Sequence, residues 1–400
     1  MTREAVIVSA CRTPIGDFLG SLKSVPAREL AGVAGKAAIA RAGIDAGLID
    51  EIIVGLVYGA GQGSNVSRMI GMDCGLPVRS GAMLVNQNCS SSMRAFEIAS
   101  HNIMLGKTDI ALVVGCESMT NAPYLVPRGR TGYRLGPGKL EDAILHDGLV
   151  CTLAGGHMGI TAENVAAKYN ITRQEQDELA VLSHQRAAAA SASGKLQDEI
   201  VPVEVKSRKS VTVFDTDEHP RAETSLESLG RLRPAFKKDG TVTAGNASGI
   251  NDASCAVVLM SRDKAQEMGI TPLAKVVTTC VEGVAPEVMG LGPAVAIPRA
   301  LQQANLKWDD VDYWEINEAF AAQWLGVGRM LKEEQGIEID MEKCNRNGSG
   351  ISLGHPVGCT GLRIIVSCLY ELIRMDKILG GASLCVGGGP AMATIISRDV

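Results

Sequence analysis

The chain turns at Val85-Asn-Gln-Asn-Cys89-Ser-Ser-Ser-Met-Arg-Ala-Phe96, where an apolar run ends and a helix begins. Apolar residues recur at helical spacing from Met93 to Ile103, and residues 110–114 predict the next buried strand. Cys89 therefore lies between the end of a strand and the N-terminus of a helix. Unpaired N–H groups and the positive end of the helix dipole favour a thiolate there. The polar neighbours favour a nucleophile over a small buried core cysteine.

The composition is that of a globular α/β chain. The 400 residues are enough for two or three domains or one large duplicated one. Only 4% of them are aromatic, so the core must rest on aliphatic side chains. A net charge of −5 provides no field for nucleic acid, and the sequence contains no run of eighteen apolar residues that would span a membrane. We therefore expect neither a nucleic-acid partner nor a membrane.

The cysteines indicate a reducing compartment. The sequence has 11 of them, without Cys-x-x-Cys pairs or the spacing of a metal finger. The strand-like run at residues 4–10 leaves no room for a signal peptide, and the last residues carry no peroxisomal tripeptide. We expect a cytoplasmic protein with free thiols and no metal site.

Strand and helix signals alternate over residues 1–117, which predicts a mostly parallel sheet covered by helices. Residues 118–247 differ in character and are interpreted as an insertion. They combine a Gly-, Pro- and Arg-rich arm (124–138), two helices (161–169, opened by Thr161, and 173–190) and a strand pair within 201–213.

The chain contains an internal similarity. Residues 42–55 parallel residues 304–317, and the unit around Cys89 parallels a second one at His355, which is followed by a predicted helix (362–374) and strand (382–386). The two offsets, roughly 262 and 266 residues, favour duplication over chance similarity of two units. Duplication places Cys89 and His355 at equivalent turns, so that an imidazole faces a thiol and can activate it as a base.

Four blocks give the chain a specific resemblance. They are Asn88-Cys89-Ser-Ser-Ser, Asn317-Glu-Ala-Phe320, Gly354-His355-Pro356 and Cys385-Val-Gly-Gly-Gly389. With these blocks, over essentially its whole length, the chain resembles the thiolase family. The resemblance implies an α/β fold of duplicated βαβαβαββ halves that form a five-layered αβαβα core. The halves are 1–117 with 248–271, and 272–400, and 118–247 form an inserted loop domain.

The resemblance also implies a covalent mechanism. Cys89 carries the acyl group as a thioester after His355 has taken its proton. Cys385 is the second proton carrier that a carbanion at the acetyl α-carbon requires. Since both thiols serve one ligand, oxidation is expected to join Cys89 to Cys385 and stop the reaction.

Two oxyanion sites follow from the same resemblance. One uses the backbone N–H groups of Cys89 and Gly387. The other uses His355 together with a water held by Asn317. The neighbouring Glu318 is assigned to positioning, because a carboxylate beside a developing oxyanion would oppose it.

The implied ligand is coenzyme A, as substrate and product and not as a cofactor. A cation and apolar side chains suit its phosphates and its pantetheine arm. The positions that match the family's substrate-binding residues are His157, Met158, Arg221, Leu226, Ser228, Leu232, Phe236, Ala244, Ser248, Gly249, Ala319 and Phe320.

The resemblance implies reversible condensation of two acetyl-CoA to acetoacetyl-CoA and CoA. His157 and Met158 match the short-chain branch, whereas the four blocks do not exclude a degradative 3-ketoacyl-CoA thiolase that acts on longer chains. A related condensing enzyme is disfavoured because Cys385 supplies a thiol where those enzymes use histidine or glutamate. A non-catalytic acyl-CoA-binding scaffold remains a further alternative. The arm at 124–138 resembles a tetramerisation loop, which implies a homotetramer built as a dimer of dimers.

Overall fold

The computed structural model describes residues 3–400, and its regular elements are numbered in chain order. The strands are β1 Ala5–Arg12, β2 Gly16–Asp17, β3 Glu51–Gly55, β4 Gly81–Val85, β5 Ile110–Ser118, β6 Tyr124–Leu125, β7 Glu141–Asp142, β8 Val150–Cys151, β9 Gly156–His157, β10 Val203–Lys206, β11 Val211–Phe214, β12 Asn251–Ser261, β13 Ala274–Gly283, β14 Tyr313–Ile316, β15 Leu379–Cys385 and β16 Pro390–Ser397. The helices are α1 Ala27–Ala42, α2 Val66–Asp73, α3 Ser91–Met104, α4 Met158–Lys168, α5 Arg173–Ala192, α6 Leu226–Gly230, α7 Arg262–Glu267, α8 Pro293–Ala304, α9 Ala321–Gln335, α10 Gly350–Leu353 and α11 Val357–Met375.

The large sheet runs in the order β14-β15-β16-β13-β1-β12-β5-β3-β4, with β2 paired to β12. Helices α3 and α11 pack against each other between the strands of the two halves, α1 covers β5 and β12, and α8 covers β13 and β16. The strands of the first half, β1 to β5 with β12, and those of the second half, β13 to β16, form two layers that are joined by the short pairing of β1 with β13 at Val6 and Ile7. The order from outside to outside is therefore helix, sheet, helix, sheet, helix. The five-layered αβαβα core is therefore confirmed.

The sheet is mixed, so the prediction of a mostly parallel sheet was wrong. Among the strands of residues 3–400, parallel pairing is limited to β3 with β4, β3 with β5 and β14 with β15. Strand β12 lies antiparallel between β1 and β5, and β16 lies antiparallel between β13 and β15. Each half ends on a strand that returns beside its first strand, and strand–helix alternation alone does not predict that return.

The two halves share the same local structure before their parallel strands. Helices α1 and α8 end in left-handed residues, Gly43 (φ 66°) and Asn305 (φ 54°), and a 3₁₀ turn then leads into β3 or β14. Asp50 Oδ2 accepts from two backbone N–H groups at the start of β5, at 3.0 and 3.1 Å. Asp312 Oδ2 accepts from the two corresponding groups at β15, at 3.0 and 2.9 Å. The shared carboxylate contact supports the internal similarity found in the sequence.

The N-terminal ends of α3 and α11 meet at the centre of the molecule. Ser92 Oγ donates to the carbonyl of Cys359 at 3.0 Å and accepts from the N–H of Leu362 at 2.9 Å. A Cβ on Gly361 would lie 2.8 Å from the backbone nitrogen of Met93, so this close approach requires glycine. The packing brings the turns that carry Cys89 and His355 towards each other.

Two helices begin earlier than the sequence predicts. Helix α4 starts at Met158, because the His157 Nδ1 caps it by accepting from the N–H of Gly159 at 3.0 Å. Thr161, the predicted N-cap, donates instead to the carbonyl of Met158. Helix α11 starts at Val357 without a side-chain cap, so its first turn carries no capping signal in the sequence.

Within residues 119–247, strands β6 to β11 pair among themselves and not with the large sheet, which this region meets through an isolated bridge between Ile200 and Arg12. Arg12 of β1 ties this region to the core. Its buried guanidinium donates to both carboxylate oxygens of Asp217, at 2.7 and 2.9 Å, and to Glu199 at 2.7 Å.

Over residues 3–400, no helix combines the length and apolarity needed to cross a bilayer.

Candidate active site

A cavity of about 50 Å³ lies where the two halves meet. Eight of the predicted site residues line it: Cys89, His355, Cys385, Gly387, Met158, Ser248, Ala319 and Phe320. They come from the turns before α3 and α11, from the end of β15, from α4 and from the loops before β12 and α9. The fold therefore gathers around one small space residues that are up to about three hundred positions apart in the sequence.

Asn88 determines the conformation of the turn that carries Cys89. Asn88 adopts a left-handed conformation (φ 46°), and its side-chain amide donates to the carbonyl of Gly387 at 3.1 Å. The backbone N–H groups of Gly387 and of Cys89 itself lie against the thiol. Burial nevertheless raises the pKa of the Cys89 thiol to about 11, against the lowering by those two groups. The expectation of a thiolate was wrong for the free protein, because removal from water outweighs the two backbone N–H groups.

This protonation state has a measurable consequence. Between pH 7 and 9.5, the rate of Cys89 alkylation by iodoacetamide is expected to rise about tenfold per pH unit, because the thiolate fraction does so below the pKa. Intact-protein and peptide mass spectrometry over a pH series measures it. A rate that levels off near pH 7 would contradict the raised pKa and restore the thiolate interpretation.

His355 is buried, and both its backbone N–H and its ring Nδ1 have hydrogen-bond partners. Its backbone N–H donates to Asn251 Oδ1 at 3.0 Å. Its Nδ1 lies 2.6 Å from Thr360 Oγ1, whose hydroxyl donates to the carbonyl of Pro356 at 3.0 Å. The threonine oxygen is thus left to accept from the Nδ1–H, so that Nε2 carries the free lone pair. Burial first, and then the charge of Arg363, lower the pKa of His355 to about 3, so the ring is neutral.

Cys385 ends β15, and the turn after it is rich in glycine. Burial raises the pKa of the Cys385 thiol, and the nearby Cys89 raises it further. Gly388 (φ 91°) and Gly389 (φ 111°) adopt left-handed conformations, and the N–H of Val386 donates to the carbonyl of Pro390 at 3.0 Å. This tight turn presents the N–H of Gly387 to Cys89. Oxidative joining of Cys89 and Cys385 stays a prediction.

Asn317 is buried directly after β14, and neither polar atom of its side chain has a hydrogen-bond partner within residues 3–400. An amide left in this way is suited to hold a small polar molecule. Glu318 is engaged elsewhere, since it accepts from Ser183 Oγ at 2.5 Å and from Asn345 Nδ2 at 2.9 Å. These contacts agree with its assignment to positioning.

The other predicted substrate-binding residues lie outside the cavity. The ring of His157 stacks on Phe236 with centroids 4.6 Å apart, and Phe236 meets Phe320 edge-on at 6.1 Å. Gly249 packs against the ring of His219. The remaining five positions are exposed on the inserted region: Arg221, Leu226, Ser228, Leu232 and Ala244.

Sequence reasoning missed several residues of the site. Gly148, Leu149, Met289 and Val357 also line the cavity, and nothing in the sequence around them signals a site. Glu117 was also missed, although an acid that closes an otherwise apolar strand is a signal. It is fully buried and accepts from backbone N–H groups of the loop after β3 and of the first turn of α11. Burial raises the pKa of Glu117 to about 7.

Among residues 3–400, no three His, Cys, Asp or Glu side chains are grouped so as to hold a metal ion. The groups that surround the cavity are two thiols, one neutral imidazole and backbone N–H groups.

The chain matches two family models, the thiolase N-terminal domain over residues 5–263 and the thiolase C-terminal domain over residues 270–398. It is 49% identical to an acetyl-CoA acetyltransferase of Syntrophomonas wolfei, covering 99% of both chains. A solved acetyl-CoA acetyltransferase from that organism matches with a TM-score of 0.99, 61% identity and full coverage of both chains. Human mitochondrial 3-ketoacyl-CoA thiolase in complex with CoA matches with a TM-score of 0.94 and 39% identity, covering 100% of this chain and 99% of that one. The chain belongs to the thiolase family.

Proposed function

We propose that this protein is an acyltransferase that condenses two acetyl-CoA reversibly to acetoacetyl-CoA and CoA. The observation that carries the proposal is the convergence of Cys89, His355 and Cys385 on one cavity, with the N–H of Gly387 against the Cys89 thiol. Full-length similarity to acetyl-CoA acetyltransferases supports it.

The first half-reaction forms an acyl-enzyme. The neutral His355 takes the proton of Cys89 through Nε2 while the sulphur attacks the thioester carbonyl. The N–H groups of Cys89 and Gly387 stabilise the oxyanion of the tetrahedral intermediate. His355 then returns the proton to the departing CoA sulphur. A neutral thiol and a neutral imidazole suit this sequence, because charge appears only during the attack.

The second half-reaction makes the carbon–carbon bond. Once the first CoA has left, the neutral His355 takes the proton of the Cys385 thiol, and the Cys385 thiolate removes a proton from the methyl group of a second acetyl-CoA. The resulting enolate oxygen is held by His355 and by a water on Asn317, whose unpaired amide is suited to that role. The carbanion attacks the acetyl group on Cys89 and expels the Cys89 sulphur, which takes back a proton from His355, so both thiols and the imidazole are neutral again.

The size of the cavity supports a short acyl chain. A volume of about 50 Å³ suits the acetyl unit, and the bulky side chains of Leu149, Met158 and Met289 limit its extension. The test is thiolysis of 3-ketoacyl-CoA substrates from C4 to C12 with added CoA. We expect kcat/KM to be highest for C4 and to fall with length. Highest activity at C8 to C12 would favour a degradative thiolase, and CoA binding without acyl exchange would favour a scaffold.

We also propose a homotetramer built as a dimer of dimers. The arm exposes large apolar side chains, among them Tyr124 and Leu135, the latter 96% exposed. Strand β4 forms an edge of the large sheet, and Met83 and Leu84 on it are exposed. Two separate apolar surfaces support two kinds of subunit contact. Light scattering is expected to give four times the subunit mass of 42.0 kDa, whereas a monomer at micromolar concentration would contradict it.

The domain division and location are proposals as well. We propose that 1–117 with 248–271, and 272–400, are the two halves and that 118–247 are the inserted domain. The return of β12 between β1 and β5 supports the first half, and the separate pairing of β6 to β11 supports the insertion. Free thiols support a cytoplasmic location.

A further inference from the structure

Asn251 connects the catalytic histidine to the first strands of the chain. Strand β2 pairs with β12 so that Asp17 lies opposite Asn251. The Asn251 amide donates to the carbonyl of Gly16 at 3.1 Å and to Asp17 Oδ1 at 3.3 Å. Its carbonyl oxygen accepts from the backbone N–H of His355 at 3.0 Å. The buried side-chain amide of Asn251 therefore links Asp17 to the turn that carries His355.

The same carboxylate oxygen binds the inserted region. Asp17 Oδ1 accepts from Nδ1–H of His219, two residues before Arg221. The side chains are 32% and 13% exposed, so the contact is partly shielded from water. This hydrogen bond is the first of the causes that lower the pKa of Asp17. The His219 ring also packs on Gly249, where a Cβ would lie 2.5 Å from its Cε1.

The segment that carries Arg221 is fixed from its other side by α5. The N–H of Arg221 donates to the Nδ1 of His184 at 3.2 Å, and the His184 and His219 rings lie 6.3 Å apart. Burial first, and then the charges of His219 and Arg221, lower the pKa of His184 to about 4, so it stays a neutral acceptor. Glu218 Oε2 accepts from the N–H of Asp17 at 2.9 Å.

We propose that Asp17 and His219 are positioning residues that set Arg221, in the CoA-binding segment, relative to His355. The inference rests on the proposed function, in which Arg221 holds the nucleotide of CoA. The Arg221 side chain is exposed. Its position therefore depends on the contacts that fix its backbone, which lower the entropy cost of binding. Asp17 connects the catalytic turn to the CoA-binding segment, because its Oδ1 contacts both Asn251, which holds His355, and His219, which lies next to Arg221 in that segment.

The test compares Asp17→Ala, His219→Phe and the double variant in acetoacetyl-CoA thiolysis. The phenyl ring keeps the packing on Gly249 and removes the hydrogen bond. We expect each single variant to raise KM for CoA about five- to tenfold and to change kcat less than about twofold. The double variant is expected to raise KM no further than the singles, because both remove one shared contact. Asp215→Ala, an exposed carboxylate of the same segment, is the matched control and leaves KM unchanged.

A second acceptor separates positioning from general loosening of the fold. With pantetheine as the acyl acceptor, which lacks the nucleotide, the variants are expected to match the wild type in KM. Thermal midpoints and circular dichroism check folding, and Asp17→Asn replaces Asp17→Ala if the latter does not fold. The inference would be overturned by an unchanged KM for CoA in the single variants, by additive effects in the double variant, or by equal effects on KM with pantetheine. Each of these outcomes is judged with a wild type that turns over acetoacetyl-CoA. Absence of thiolysis in the wild type would overturn the proposed function itself.

Discussion

Cys89→Ser is expected to abolish acyl-enzyme formation and to lower turnover on the order of 10⁴-fold or more. A serine hydroxyl fits the same turn, since Asn88 and Gly387 hold that turn through other atoms. It is far less acidic than a thiol, and the neutral His355 is a weak base because its pKa is lowered to about 3. The variant therefore keeps the fold and loses the nucleophile.

Intact-protein mass spectrometry after mixing with acetyl-CoA measures the acetyl adduct directly. The wild type is expected to gain one acetyl group on Cys89 and the variant none. Cys74→Ser, a buried cysteine at the end of α2 whose thiol contacts the carbonyl of Gly32, is the matched control and should acetylate normally. Normal turnover by Cys89→Ser, or an acetyl group found on another residue, would refute the assignment.

The sequence alone singled out Cys89 from a local pattern and His355 from the internal repeat. Helical spacing after Cys89 places it before a helix, and the repeat places His355 at the matching turn. The parallel between residues 42–55 and residues 304–317 likewise located the matching turns before β3 and β14. Helix α1 has sequence signals at both of its ends, since Pro26 precedes it and Gly43 follows it.

What the sequence did not reveal depends on distant neighbours. The direction of β12 and β16 is set by pairing with strands far away in the chain, and the first turn of α11 has no capping residue. The protonation of Cys89 depends on burial by both halves. The contacts of Asp17 with Asn251 and His219 join positions more than two hundred residues apart, and no local pattern encodes them.

Cys385→Ala is expected to separate the two half-reactions. Acetylation of Cys89 should proceed, because the thiol, His355 and the N–H of Gly387 are all retained. Condensation and thiolysis should fall by on the order of 10²- to 10⁴-fold, because the proton at the α-carbon then has no carrier. Exchange of label between acetyl-CoA and CoA reports the first half-reaction alone, and acetoacetyl-CoA formation reports both.

The comparison with Cys89→Ser makes this result decisive. Both variants lose acetoacetyl-CoA formation, yet only Cys385→Ala is expected to keep the label exchange and the acetyl adduct. Burial keeps the pKa of Cys385 raised, so its replacement by alanine removes an uncharged thiol and leaves no unpaired charge in the core. Loss of exchange along with condensation in a folded Cys385→Ala protein would show that Cys385 serves the acylation step. The division of labour between the two thiols would then be wrong.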